Sequence, residues 1–132
     1  MNSEIYTAIY NVLTGAGLTV YDHIPQIGAG QKSEDIYPYN RLSTVSVTPW
    51  DDDFETGFSA SFAVHFFSRY KGSKEVEENQ KIVYDNLHRV KLSDTASFQL
   101  LSIVFESSQI LDDPDGMTKH GVQNFNIIYE VN

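Results

Sequence analysis

Residues 58–91 read FSASFAVHFFSRYKGSKEVEENQKIVYDNLHRVK, and the fold class turns on them. Phe58, Ala60, Phe62, Val64 and Phe66 alternate with Ser59, Ser61, Ala63, His65 and Phe67. That period of two predicts a strand with one strongly apolar face. Arg69-Tyr70-Lys71-Gly72 then breaks the pattern. Ser73 stands where a helix cap accepts a backbone N–H, with Glu75, Glu77 and Glu78 near the positive end of the helix dipole. Val76, Val83, Leu87 and Val90 recur at helical spacing beside Ile82. Arg89 and Lys91 fall in the expected last turn, where cations are favoured. Phe62, Val64 and Phe66 should meet Val83 and Leu87. A strand feeding a helix that packs back onto its sheet predicts an α/β or α+β protein.

Towards the N-terminus, Ile5, Ala8, Ile9, Val12 and Leu13 predict an amphipathic helix, capped at Ser3 and stopped by Gly15 and Gly17. A short strand over Leu18–Tyr21 follows, ended by Asp22-His23-Ile24-Pro25. Residues 26–38 read as a loop. Tyr39–Thr48 reads as a second strand ended by Pro49. Its apolar spacing changes phase between Leu42 and Val45, which suggests a bulge. Trp50-Asp51-Asp52-Asp53-Phe54-Glu55-Thr56-Gly57 links it to the strand at Phe58, as the tip of an antiparallel hairpin.

Towards the C-terminus, Leu92–Ala96 is a connection. Phe98–Leu111 carries one long strand or two short ones, with Leu101, Ile103 and Phe105 alternating. Asp112-Asp113-Pro114-Asp115-Gly116 signals a turn. A last strand runs from about Gly121 to Val131. Phe125, Ile127, Tyr129 and Val131 face one way, while Gln123, Asn124 and Asn126 keep its first half wet.

The 132 residues are expected to form a single domain (1–132), and the 41% hydrophobic content suffices for its core. There is no cysteine, hence no disulfide framework. No apolar run approaches the ~20 residues of a membrane span, and the N-terminus lacks the basic region of a secretory signal, so a cytoplasmic protein without membrane association is expected. The net charge of −9 is uneven. Residues 69–91 hold six of the nine basic residues against four acids, a net of +2, and the remainder carries −11. Faces of opposite sign suit head-to-tail association; a solvated helix face with acidic loops is the alternative. No basic excess supports sequence-specific nucleic-acid binding.

Tests for chemistry fail one by one. Gly28-Ala29-Gly30-Gln31-Lys32-Ser33 imitates a phosphate-binding loop, but Gln31 stands where glycine must precede the lysine. Asp51-Asp52-Asp53 could hold a hard cation, yet three consecutive acids do not easily all turn inward, and a solvated or partner-facing loop is the better reading. Asp113-x-Asp115-Gly116 resembles a calcium loop, but Leu111 and Val122 then fall on ligand positions. His23, His65, His88 and His120 lie in no H-E-x-x-H pattern, and there is no G-x-S-x-G elbow. The expectation is a protein with no catalytic site, metal or cofactor. Trp50 and Phe54 bracket the acids as aromatic anchors beside a charged rim. The expected interface residues are therefore Trp50, Asp51, Asp52, Asp53, Phe54 and Glu55, with Arg69 and Lys71 of the basic turn. Alternatively, Trp50 folds back onto the sheet and the acids are merely solvated.

Several stretches, in order, resemble the tail completion, or tail terminator, family of long-tailed (siphovirus-type) phages and prophages. They are the opening helix, Val20-Tyr21-Asp22-His23-Ile24-Pro25, Tyr37-Pro38-Tyr39, His65-Phe66-Phe67-Ser68-Arg69-Tyr70-Lys71-Gly72-Ser73-Lys74-Glu75, Tyr84-Asp85-Asn86-Leu87, and Asp112 through Val122. The resemblance covers nearly the whole chain. It implies an α+β fold: a small, mixed, mostly antiparallel sheet with two helices on one side. It also implies a structural, non-enzymatic virion protein, a homo-oligomeric ring of six subunits, which caps the head-proximal end of the tail tube. Partners would be the tail tube protein and a head completion or connector protein. DNA would pass through an acidic lumen that repels phosphate, without sequence-specific binding. Assembly would occur in the host cytoplasm. The alternatives are a head–tail connector component or, in another class, a small soluble host enzyme or ligand-binding domain.

Overall fold

The computed structural model describes residues 2–21, 37–43, 46–51, 56–89, 98–114 and 116–131. In chain order the elements are α1 (Asn2–Gly15), β1 (Val20–Tyr21), β2 (Tyr39–Leu42), β3 (Ser46–Asp51), β4 (Thr56–Ser68), α2 (Lys74–Leu87), β5 (Phe98–Asp112) and β6 (Lys119–Val131). The sheet order is β1-β2-β4-β6-β5, with β3 paired to the first half of β4 and β2 to its second half. Only β1 and β2 run parallel; the other pairings are antiparallel. This is the α+β class expected.

β4 organises the sheet as its alternation requires. Ala60, Phe62, Val64 and Phe66 are buried beneath the helices. Phe62 stacks on Phe125 of β6 at 5.4 Å, with Ile103 and Ile127 in the same core. Ile5, Ile9 and Leu13 of α1 and Val83 and Leu87 of α2 close that core from one side. Phe66 is buried as well, although it lies outside the main cluster. Helix α1 ends in a Schellman turn: Leu18 N–H reaches Leu13 C=O at 3.3 Å and Gly17 N–H reaches Thr14 C=O at 3.1 Å. Gly17 takes φ +88 there, a conformation that favours glycine.

Some local expectations need correction. Ser73 occupies the N-cap of α2 but makes no side-chain cap, since its backbone is helical rather than extended. The turn is tied instead by Ser68, whose hydroxyl donates to Glu75 Oε1 at 2.6 Å and accepts Tyr70 N–H at 3.1 Å. Helix α2 stops at Leu87, so Arg89 lies beyond it at φ 58; Val90 and Lys91 fall outside the described residues. Pro49 does not end the second strand. It sits within β3, opposite Phe58, where an edge strand needs no N–H on its open side. The hairpin pairs as far as Trp50↔Gly57 and Asp51↔Thr56, so its connection shrinks to residues 52–55.

The phase change near Leu42 is real. Between the pairs Leu42↔Val64 and Ser46↔Ser61 this segment advances four residues while β4 advances three. Ser43 bridges the irregularity, donating its N–H to Ala63 C=O at 2.9 Å and accepting Ala63 N–H at 2.7 Å. The stretch from Phe98 is one strand, with irregularities at Leu100/Ser102 and Phe105/Ser107. Gln123 is not wet: it is buried on the helix side of β6, and its amide donates to Gln80 C=O at 2.9 Å.

Candidate functional site

The helices cover one face of the sheet. On the other face, alternate positions of β4 and β6 are polar: Ser59 donates to Asn126 at 2.9 Å, and Asn124 to Ser107 at 3.1 Å. Towards the C-terminal end of β4 this face turns aromatic. Tyr39 of β2 stacks on Phe67 at 5.0 Å, Phe67 on His120 of β6 at 4.4 Å, and His120 on His65 at 5.0 Å. Tyr21 and Tyr37 pack against Tyr39 at 5.7 and 5.4 Å. The guanidinium of Arg69 lies 4.4 Å from the ring centroid of Tyr37, a cation–π contact, and its Nε–H points to Thr118 Oγ1 at 3.4 Å. Register explains the assembly: Phe67 is the cross-strand partner of Tyr39 on one side and of His120 on the other, and Arg41 is the partner of His65.

His65 Nδ1 and His120 Nε2 approach to 2.8 Å, so one imidazole donates and the other accepts. Burial, the Arg41 charge and His120 push His65 down to about 4. Burial also lowers His120, opposed by Asp113, whose carboxylate stands 3.8 Å from His120 Nδ1. Both rings therefore favour the neutral form at neutral pH, and the N–H···N contact requires that at least the accepting ring be neutral. Among the described residues no group of three or more histidines and carboxylates is arranged to hold a metal ion. The pair belongs to a packed, hydrogen-bonded corner, and it fixes the strand ends from which Arg69 emerges.

Beside this corner lies a recess of about 600 Å³ between the β4–α2 turn and the β5–β6 turn. Arg69, Tyr70, Lys71, Asp112, Met117 and Lys119 line it. Lys119 pairs with Asp112 across its floor. Tyr70 and Met117 are 51% and 59% exposed, large apolar surface in a basic setting.

The expected interface residues thus divide into two groups. Arg69 and Lys71 are brought together at the recess. Trp50 and Asp51 belong to β3, at the opposite end of β4, and residues 52–55 lie outside the described residues. Twelve steps of β4 separate Thr56 from Ser68, roughly 40 Å at strand rise. The loop 26–36, including the phosphate-loop imitation, also lies outside the described residues. Reading for chemistry passed over His65, His120 and Tyr37 as site residues. The signal was present, because Tyr37-Pro38-Tyr39, His65 through Tyr70 and Asp112 through Gly121 are the stretches that resemble one family, and they converge at this corner.

Comparison with known proteins agrees. The family model of tail completion protein gp17 matches residues 5–130. Among solved structures, a chain of the virion of a native gene transfer agent particle superposes with a TM-score of 0.76 at 18% identity, covering 94% of this chain and 92% of that one. At that identity the likeness speaks for the fold. No protein of curated function matches the sequence. The chain belongs to the tail completion protein gp17 family and is a structural protein of the phage tail.

Proposed function

We propose that this tail completion protein acts as one domain that closes into a homo-oligomeric ring, six subunits in number, at the head-proximal end of the tail tube. The ring ends tube polymerisation and offers a joining surface to the head, so its neighbours are the tail tube protein and a head completion or connector protein. It performs no catalysis. The observation that carries this reading is the family match over residues 5–130. The fold lends support: a ring needs two different, complementary patches on each subunit, and β4 sets the basic recess at one end and the start of the acidic run of the sequence at the other. The recess gathers Arg69 and Lys71, and Asp51 pairs with Thr56 at the far end of the strand. The net charge of −9 suits a lumen through which DNA slides without being held. The likeness to a chain of a gene transfer agent virion fits a place within an assembled particle.

Electron microscopy of tails assembled with and without the protein tests this. With it, tails should have uniform length and a ring at the head-proximal end. Without it, tubes should vary in length and fail to join heads. Uniform, head-joined tails in its absence would refute the proposal.

A further inference from the structure

We infer that the basic recess beside the β4–α2 turn receives the acidic, aromatic tip of the β3–β4 hairpin from a second copy of this chain. The inference rests on the ring proposed above and names the contact that closes it.

Among the described residues the recess is lined by three cations, Arg69, Lys71 and Lys119, and by one carboxylate, Asp112, which pairs with Lys119. Exposed Tyr70 and Met117 supply apolar surface between them. A matching ligand carries several carboxylates and one or two large aromatic groups within a short span. The sequence contains one such segment: Trp50-Asp51-Asp52-Asp53-Phe54-Glu55 has four carboxylates and two aromatics in six residues. Its first two residues, Trp50 and Asp51, pair with Gly57 and Thr56 at the end of the β3–β4 hairpin, which gives the run a firm base; residues 52–55 lie outside the described residues. Within one copy the two cannot meet, because β4 sets Thr56 roughly 40 Å from Ser68, farther than the four residues 52–55 can span. Between copies nothing prevents it, and a tip-to-recess contact is heterologous, the kind that repeats around a ring.

The chemistry divides the work. Charge complementarity steers and orients the approach and rejects wrong partners. An aromatic group seated among Tyr70, Met117 and the lysine stems supplies the desolvated anchor. The Tyr37 ring beneath Arg69 holds the guanidinium over the recess before the partner arrives. Mutual repulsion among Asp51, Asp52 and Asp53 is relieved when cations face them.

Zero-length carbodiimide coupling on purified tails tests this directly, since it joins a lysine only to a carboxylate in contact. Mass spectrometry should find Lys71 or Lys119 linked to a carboxylate within residues 51–55. Lys71→Glu, at an exposed position, and Asp52→Lys should each weaken ring formation about tenfold or more, while the monomers keep their melting temperatures. An equal mixture of the two variants should restore rings, because each reversed recess then meets a reversed tip. Rings that form without such a link, or that tolerate both reversals, overturn the tip-to-recess contact while leaving the ring itself standing. Coupling of Lys71 to a different virion protein, or its protection by DNA, overturns it equally. Tails that carry no ring of this protein overturn the underlying reading instead, and subunit counting by electron microscopy tells that failure apart.

Discussion

Gly121 of β6 lies directly beneath Val76 of α2. A Cβ at position 121 would stand 2.6 Å from Val76 Cγ1 and 2.9 Å from Gln80 Nε2. Nothing but hydrogen fits there, and so α2 can lie close against the sheet. The backbone of Gly121 is otherwise ordinary, so the requirement is steric rather than conformational.

Gly121→Ala should therefore destabilise the protein by about 1–3 kcal/mol, the usual penalty for overpacking. The gain from replacing a strand glycine is smaller, about 0.5–1 kcal/mol, and does not offset it. Adding Val76→Ala should recover part of the loss, because the two methyl groups compete for one volume. Denaturant melts of both single variants and the double variant measure that coupling. An alanine at 121 as stable as glycine would refute the steric account.

Asn40 and Asn79 should act as a unit. Both are buried, and their amides exchange two hydrogen bonds, at 3.1 Å and 2.8 Å, fastening α2 to β2. Asn79→Ala alone strands the Asn40 amide away from water and should cost about 1–3 kcal/mol. Replacing both, as Asn40→Val with Asn79→Leu, should cost less than that single change. Equilibrium unfolding of the two variants gives the comparison, and a double variant weaker than the single one would contradict it.

Acid should loosen the aromatic corner. In the unfolded chain His65 titrates near 6.5, whereas in the folded protein it does so at about 4. Between those values the unfolded state binds more protons, so stability falls as pH falls. The contribution of neutral His65 is intact above about 6.5 and is lost progressively towards about 4. His120, lowered for the same main reason, adds to the trend. Thermal melts across this window should show a shallower pH dependence for His65→Gln than for the wild type. Parallel profiles would show that the histidine pair does not couple to folding.

What the sequence determined by itself is whatever depends on neighbours along the chain. The alternation from Phe58 to Phe66 specifies β4 and its buried face, because a strand turns its side chains on a period of two. The spacing of Ile5, Ile9 and Leu13 specifies the buried stripe of α1 in the same way, and the phase slip at Leu42 reports a real irregularity. The order of short stretches along the chain was enough for the family. The tertiary structure decided what depends on partners far away in sequence. Pro49 reads as a stop, yet it is tolerated in β3, because only cross-strand pairing reveals that β3 is an edge. Gln123 reads as a solvent-facing amide, yet it is buried, because Gln80 C=O meets it from 43 residues away, and Asn79 is buried against Asn40, 39 residues away. His65 and His120, 55 residues apart, become one hydrogen-bonded pair only when β4 and β6 align in register. Arg69, Lys71 and Lys119 likewise share a recess because two turns that are remote in the chain end at the same edge of the sheet. Local periodicity carries secondary structure; register and close approach, which no single segment encodes, carry the site.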